Sequence, residues 1–154
     1  GAILDEVVYA ANLRLQKMSR SRYSLERSDY TGGGRGKQGL DLAVMDAFTG
    51  QSRPANTLSG GETFLASMAL ALGLADVIQS YAGGIHMDTM FIDEGFGTLD
   101  PDTLELAMET LVKLQSSGRL IGMISHVPEL KTRIPAHLEV TRGDDGSTAK
   151  FVIN

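Results

Sequence analysis

Two short runs decide how this sequence is read: Leu58-Ser59-Gly60-Gly61-Glu62 and Phe91-Ile92-Asp93-Glu94-Gly95-Phe96-Gly97-Thr98-Leu99-Asp100. Between them lies a stretch with almost no polar face. Ser59 and Glu62 have the spacing of a capping box, in which the serine hydroxyl and the glutamate carboxylate each satisfy an orphan backbone N–H of a helix start. The box does not account for the two glycines it encloses. Without Cβ atoms they allow another surface to approach the backbone closely, and a helix start with accessible N–H groups and a positive dipole end receives anions such as phosphate. The second run is a short apolar segment, 89–93, ending in adjacent carboxylates. Charges at the end of a buried strand are costly unless they meet a cation or hydrogen-bond donors. In a nucleotide-cleaving fold Asp93 there would be a magnesium ligand, mostly through water, and Glu94 would activate an attacking water; an exposed turn with two acids is the plainer alternative.

The helix behind Glu62 is expected to run to about residue 81. Phe64, Leu65, Met68, Leu70, Leu72, Leu74, Val77 and Ile78 predict burial on most sides, and Gly83-Gly84 its end. Asp100-Pro101 announces the next helix, with Asp as cap and Pro at the first helical position. Its stripe is Leu104, Ala107, Met108, Leu111 and Leu114, and Gly118 stops it. Residues 120–125 form a second apolar strand. Two apolar strands joined by a helix predict a parallel βαβ unit covered on both faces. His126, just past the second strand, sits where α/β sheets bind ligands and is a candidate phosphate contact. A closing hairpin is expected from 138–142 and 148–153 around Gly143-Asp144-Asp145-Gly146.

Upstream, residues 2–21 read as a helix in which Leu4, Val8, Ala11, Leu15 and Met18 keep heptad spacing. With no capping pattern at Gly1, a longer helix cut at that point is expected. Residues 23–27 alternate as a short strand, 40–48 as another, and 49–56 form a polar loop with Pro54. The run Gly32-Gly33-Gly34-Arg35-Gly36-Lys37-Gln38 imitates a phosphate-cradling loop. It has Thr31 where the first glycine is needed and Gln38 where Ser or Thr is needed, so it is read as a linker within a glycine-rich stretch, 31–39.

Composition narrows the class. At 154 residues the chain has the length of one domain, and it contains no cysteine, which excludes disulfides and thiolate metal sites. No signal-peptide pattern opens it, and the longest uncharged run, 63–75, is shorter than the ~20 residues of a membrane-spanning helix. Eight basic and six acidic residues precede Leu58, so with a net charge of −5 the remainder carries −7. A basic lead of Arg14, Lys17, Arg20 and Arg22 makes a polyanion contact one candidate, and a solvated helix face the plainer one.

The two runs together resemble a family. Thr57-Leu58-Ser59-Gly60-Gly61-Glu62-Thr63-Phe64 resembles the signature motif of ABC-type ATPases, Phe91-Ile92-Asp93-Glu94 their Walker B, Thr98-Leu99-Asp100 their D-loop and Ser125-His126 their H-loop. Gly95, where transporter members usually have Pro, makes the segment similar to the SbcC branch of SMC-like DNA-repair ATPases. The resemblance is specific over 57–126 and weak before residue 40. It implies an α/β fold: the C-terminal lobe of an ABC-type ATPase head, with a mainly parallel sheet flanked by helices, a terminal β-hairpin and an N-terminal coiled-coil root helix. Residues 1–22 would be that root and 23–154 the lobe. The Walker A lobe would be supplied by the N-terminal end of the same protein.

The resemblance also implies roles. Leu58, Ser59, Gly60, Gly61 and Glu62 would contact the γ-phosphate of ATP bound to an opposing head. Asp93 would support magnesium, Glu94 would polarise water, Asp100 would couple the two sites and His126 would sense the γ-phosphate. ATP and magnesium are the implied cofactors. The implied partners are the Walker A lobe, a second SbcC-like head, an SbcD-like nuclease and double-stranded DNA, with no membrane, in a cytoplasmic, nucleoid-associated setting. ATP would close the heads and gate the nuclease. Other readings stay open: a DNA- and partner-binding module with little hydrolysis, a lobe of another ABC protein, or a structural domain.

Overall fold

The computed structural model describes residues 1–27, 42–81, 83 and 86–153. The glycine-rich linker of 31–39 and the first two residues of the strand expected over 40–48 lie outside the described residues, as does Gly84. The chain divides into two units, Gly1–Ile124 and Ser125–Asn154.

The first unit is built on two helices, α1 (Ala2–Met18) and α2 (Gly60–Tyr81), packed on one another. The helices meet at Gly73. A Cβ there would lie 2.6 Å from the Ala11 amide nitrogen and 2.8 Å from the Val7 carbonyl oxygen, so only hydrogen lets the backbones approach this closely. Val8, Ala11, Leu15 and Met18 of the heptad pattern are buried in this unit, with Val7. The α1 stripe therefore serves the chain's own core. Leu65, Met68, Leu72, Ala75 and Val77 of α2 are buried likewise, while Leu74 and Ile78, one turn apart, are exposed. The expected near-complete burial of α2 holds along one broad face only. By length and composition α2 is apolar enough to cross a membrane, and in this fold it is a core helix.

A three-stranded antiparallel sheet follows α1: β1 (Tyr23–Arg27), β2 (Leu42–Asp46) and β3 (Gln51–Pro54), with Leu25 opposite Val44 and Val44 opposite Arg53. β3 corrects the loop expected over 49–56. Its polar side chains give no apolar alternation; the strand exists because β2 turns back on itself. Buried Asp46 anchors that turn, its carboxylate accepting from the Phe48 amide at 2.9 Å while also binding Arg22. Asn12 of α1 closes a two-way amide contact with Leu25, which fixes β1 against the helix.

The βαβ unit forms as expected. β4 (Thr89–Asp93) and β5 (Leu120–Ile124) are parallel, with Phe91 opposite Gly122 and Asp93 opposite Ile124, and α3 (Pro101–Ser116) joins them. All five residues of the expected α3 stripe are buried. Among the described residues, one face of this strand pair is left uncovered. Phe91, Leu120 and Ile124, on one face, stay largely exposed. In the described residues the parallel sheet has only these two strands, and no third strand brings a covering layer. Phe91 lies across the strand pair, over the position where a Gly122 side chain would be.

The second unit carries the one-and-a-half-turn helix α4 (Pro128–Arg133), which sequence periodicity did not signal, and the expected hairpin, β6 (Ala136–Gly143) with β7 (Gly146–Ile153), turned at Asp144-Asp145.

Candidate functional site

The capping box forms as the spacing requires. The Ser59 amide donates to Glu62 Oε2 at 2.9 Å, and the Glu62 amide approaches the Ser59 hydroxyl at 3.4 Å. The Glu62 carboxylate does more than cap. The Tyr23 hydroxyl donates to its Oε1 at 2.8 Å, and Arg53 Nη2 reaches both oxygens at 3.1 and 3.2 Å. Burial by itself would push this carboxyl up. The Ser59 amide, the Tyr23 hydroxyl and the Arg53 guanidinium outweigh it and hold Glu62 below its ordinary value. Tyr23 is pushed up to about 12, first by burial and then by donating to Glu62.

The two glycines have separate reasons. At Gly61 the missing Cβ is replaced by this chain's own backbone: it would stand 2.8 Å from the Thr98 carbonyl oxygen. At Gly60 a Cβ would make ordinary contact with the Thr98 side chain at 3.5 Å. So the surface that approaches the glycines belongs to 98–99, and the fold brings the helix start and the Thr98-Leu99-Asp100 segment together. The first amides of α2 retain no i−4 partner, as at any helix start.

β4 delivers Asp93 and Glu94 to its carboxyl end, both exposed. The Glu94 amide continues the ladder, donating to the Ile124 carbonyl at 2.9 Å, while its φ of 50° is left-handed, uncommon for a residue with a side chain. Strain of this kind clusters at functional sites. Gly95 follows with φ 103°, and a Cβ there would lie 2.1 Å from the Phe64 ring. Phe64 packs edge-on against buried Phe96, centroids 4.8 Å apart. Thus the first turn of α2 grips the segment directly after the two carboxylates. Asp100 caps α3, accepting from the Thr103 amide at 3.0 Å and the Thr103 hydroxyl at 2.6 Å; these bonds, the hydroxyl's first, hold its carboxyl below the usual range.

His126 comes two residues after β5 and opens the second unit, where the Val127 amide donates to the Ser125 hydroxyl at 3.1 Å. Among the described residues no three His, Asp or Glu side chains gather as a metal cage. That is compatible with magnesium, which takes one or two carboxylates together with waters and substrate phosphates. Asp93, a hard oxygen donor at the carboxyl edge of a parallel sheet, fits that requirement.

The basic lead is partly committed. Arg14 binds Asp76 at 2.5 Å and Arg22 binds buried Asp46 at 3.0 Å, with its guanidinium over the rings of Tyr23 and Phe48. With the exposed Arg20–Asp102 pair at 3.8 Å, three of the four cations considered for a polyanion face an acidic partner in the chain itself. Sequence reasoning missed Tyr23 and Arg53. Neither stands in a motif; both reach Glu62 only through the pairing of β1, β2 and β3.

Residues 34–113, just over half of the chain, match the family described as SbcC/RAD50-like, Walker B motif. The chain is 53% identical to the SbcC component of the SbcCD nuclease of Vibrio cholerae over 99% of its own length, and 53% identical to the Treponema pallidum protein of the same name over 95%. It spans about 15% of the length of the first and 14% of the second. Among solved structures, it resembles the Smc head domain with an extended coiled coil derived from Pyrococcus furiosus (TM-score 0.67, 18% identity, 97% of this chain and 35% of that one). It also resembles a Smc head domain with a coiled coil and joint from Pyrococcus yayanosii (TM-score 0.69, 17% identity, 96% and 26%). At such identities the likeness shows the fold alone, that of these head domains.

Proposed function

The chain belongs to the SbcC/RAD50-like family and carries its Walker B region, and on that ground we propose that it is the C-terminal lobe of the ATPase head of an SbcC-like component of a DNA exonuclease complex. The observation that carries the proposal is the contact of the helix start at Ser59-Gly60-Gly61 with the Thr98-Leu99 segment, directly downstream of Asp93-Glu94. These contacts support one unit presenting an anion-receiving helix end and, a few residues upstream of the contact, two exposed carboxylates.

The roles divide by chemistry. The Ser59 hydroxyl and the amides of Gly60 and Gly61 read the γ-phosphate of ATP held by an opposing head. Glu62, already saturated by protein donors, holds that end in place. Asp93 supports magnesium; the metal would supply charge neutralisation at the phosphates when bound. Glu94 orients and deprotonates the attacking water, and its left-handed backbone aims it. Asp100 couples neighbouring sites from its place at the α3 cap, and His126 contacts the terminal phosphate of its own head. ATP touched by both heads favours the closed pair through its differential affinity.

Residues 1–22 would be the root of a coiled coil and 23–154 the lobe. The exposed Phe91, Leu120 and Ile124 face supports completion by a Walker A lobe of the same protein, since a bare apolar sheet face of this kind marks an interaction surface. A second head, an SbcD-like nuclease and double-stranded DNA complete the partners, in a cytoplasmic, nucleoid-associated setting.

The test uses the full-length protein and reads magnesium-dependent ATP hydrolysis and ATP-dependent head association. Glu94→Gln should keep association and lose turnover by about 10²-fold or more. Ser59→Asp keeps a good helix cap and places a negative charge against phosphate, so both readouts should fall. Turnover that survives Glu94→Gln would refute the proposal.

A further inference from the structure

Glu62 poses a problem for the phosphate-reading helix start. A carboxylate in the first turn competes with an anionic ligand for the same positive dipole end and repels it. In this fold the charge is answered from β1 and β3 and from the Ser59 amide. Oε1 accepts from Tyr23 and Arg53, and Oε2 from Arg53 and the Ser59 amide. The carboxylate is drawn toward the β1–β3 sheet, and its hold on the Ser59 amide sets the angle at which the chain enters α2.

Tyr23 is itself fixed. Its amide donates to the Ser19 hydroxyl at 3.1 Å; that hydroxyl donates to the Leu15 carbonyl at 2.7 Å. The Arg22 guanidinium lies 4.8 Å over its ring. Between α1 and β1 the chain passes through two consecutive left-handed residues, Arg20 (φ 50°) and Ser21 (φ 62°). The end of α1, Tyr23, Glu62 and Ser59 are therefore one hydrogen-bonded series.

We infer that Tyr23 and Arg53 are positioning residues of the ATPase head, holding the Ser59 end of α2 in its phosphate-reading setting through Glu62, with Tyr23 linking that setting to the end of α1. The inference rests on the proposed reading of Ser59 as a phosphate contact. It assigns neither residue a contact with ATP.

The experiment measures kcat and KM for magnesium-ATP in the full-length protein carrying Tyr23→Phe, Arg53→Ala, Arg53→Lys or Glu62→Gln, with Glu94→Gln as reference and thermal unfolding of each variant. Tyr23→Phe removes one hydroxyl from a buried ring. It should lower kcat about threefold to tenfold, the scale of one ordinary hydrogen bond, since Arg53 and the Ser59 amide still hold the carboxylate, and leave KM within about twofold. Arg53→Lys should recover part of what Arg53→Ala loses. In a Glu62→Gln background, Tyr23→Phe should add less than about twofold, because the two act through one carboxylate. An unchanged kcat in Tyr23→Phe, beside a Glu94→Gln variant that is inactive, overturns the inference and leaves the proposed function standing. A Tyr23→Phe defect that persists in full beside Glu62→Gln overturns it as well. Activity in Glu94→Gln overturns the reading on which it rests.

Discussion

Gly73→Ala is expected to destabilise this fold although it improves the helix it sits in. Ala is favoured over Gly in a helix interior by about 1 kcal/mol, so propensity alone predicts a gain. The crossing of α1 and α2 predicts the reverse. The new Cβ would meet the Ala11 amide nitrogen at 2.6 Å, the Val7 carbonyl oxygen at 2.8 Å and the Ala11 Cα at 3.0 Å. Ordinary contact begins at 3.4 Å, so the helices must part by about 0.8 Å at their closest point. All three atoms are backbone, and no side chain can rotate away. Leu15, Met18 and Leu72, each at most 1% exposed, would lose packing as the helices separate. Overpacking of this kind costs about 1–3 kcal/mol, and lost dispersion contacts at the parted helices add to it. Set against the propensity gain of about 1 kcal/mol, the net loss should be about 1–2 kcal/mol, or about 2–8 °C in the unfolding midpoint for a chain of this size. Urea denaturation followed by circular dichroism gives the number. Ala11→Gly should not rescue the variant, because the atoms struck are main-chain. A Gly73→Ala protein as stable as the parent, or more so, would refute the close crossing.

Gly95→Ala should cost about 1–3 kcal/mol from its left-handed backbone alone and should also displace Phe64, so ATP turnover of the full-length protein is expected to fall with stability. Asp100→Ala should cost about 1 kcal/mol in thermal unfolding and Asp100→Asn much less, since Asn also caps. For pH, Glu62 has a folded value below its ordinary 4.5 and Asp46 one below 3.8. Lowered carboxylates stabilise above their unfolded values, and that stability is lost as pH falls through the folded ones. Unfolding midpoints should therefore drop as pH falls below about 4.5, and Glu62→Gln should flatten the upper part of that decline.

What could be read from the sequence was whatever short-range chemistry dictates. The Ser59–Glu62 box, the Asp100-Pro101 start of α3, the five-residue stripe of that helix and the 144–145 turn each need only neighbours within a few positions. A short apolar run ending in two acids is common by chance, and β4 was legible through its place downstream of the Ser59–Glu62 box. β3 was not, since Gln51, Ser52 and Arg53 carry no alternation and become a strand only through β2. The purpose of the glycines was half legible. Openness at Gly61 could be inferred, while its occupant, the Thr98 carbonyl, lies 37 residues away in sequence. Gly73 gave no signal at all, being one glycine in an apolar helix. Heptad spacing in α1 pointed to a partner helix, yet the core of the same unit takes up those side chains. A period reports that a face is buried and says nothing of what buries it. Tyr23 and Arg53 were invisible for a related reason: their function exists only in the register of a sheet.

The most direct measurement is ATP turnover by this chain with and without the matching N-terminal Walker A lobe. Alone, the chain should hydrolyse no ATP. With the lobe added, magnesium-dependent hydrolysis should appear, and Glu94→Gln should abolish it. Turnover by the chain alone, or a reconstituted head indifferent to Glu94→Gln, would contradict a head built from two complementary halves.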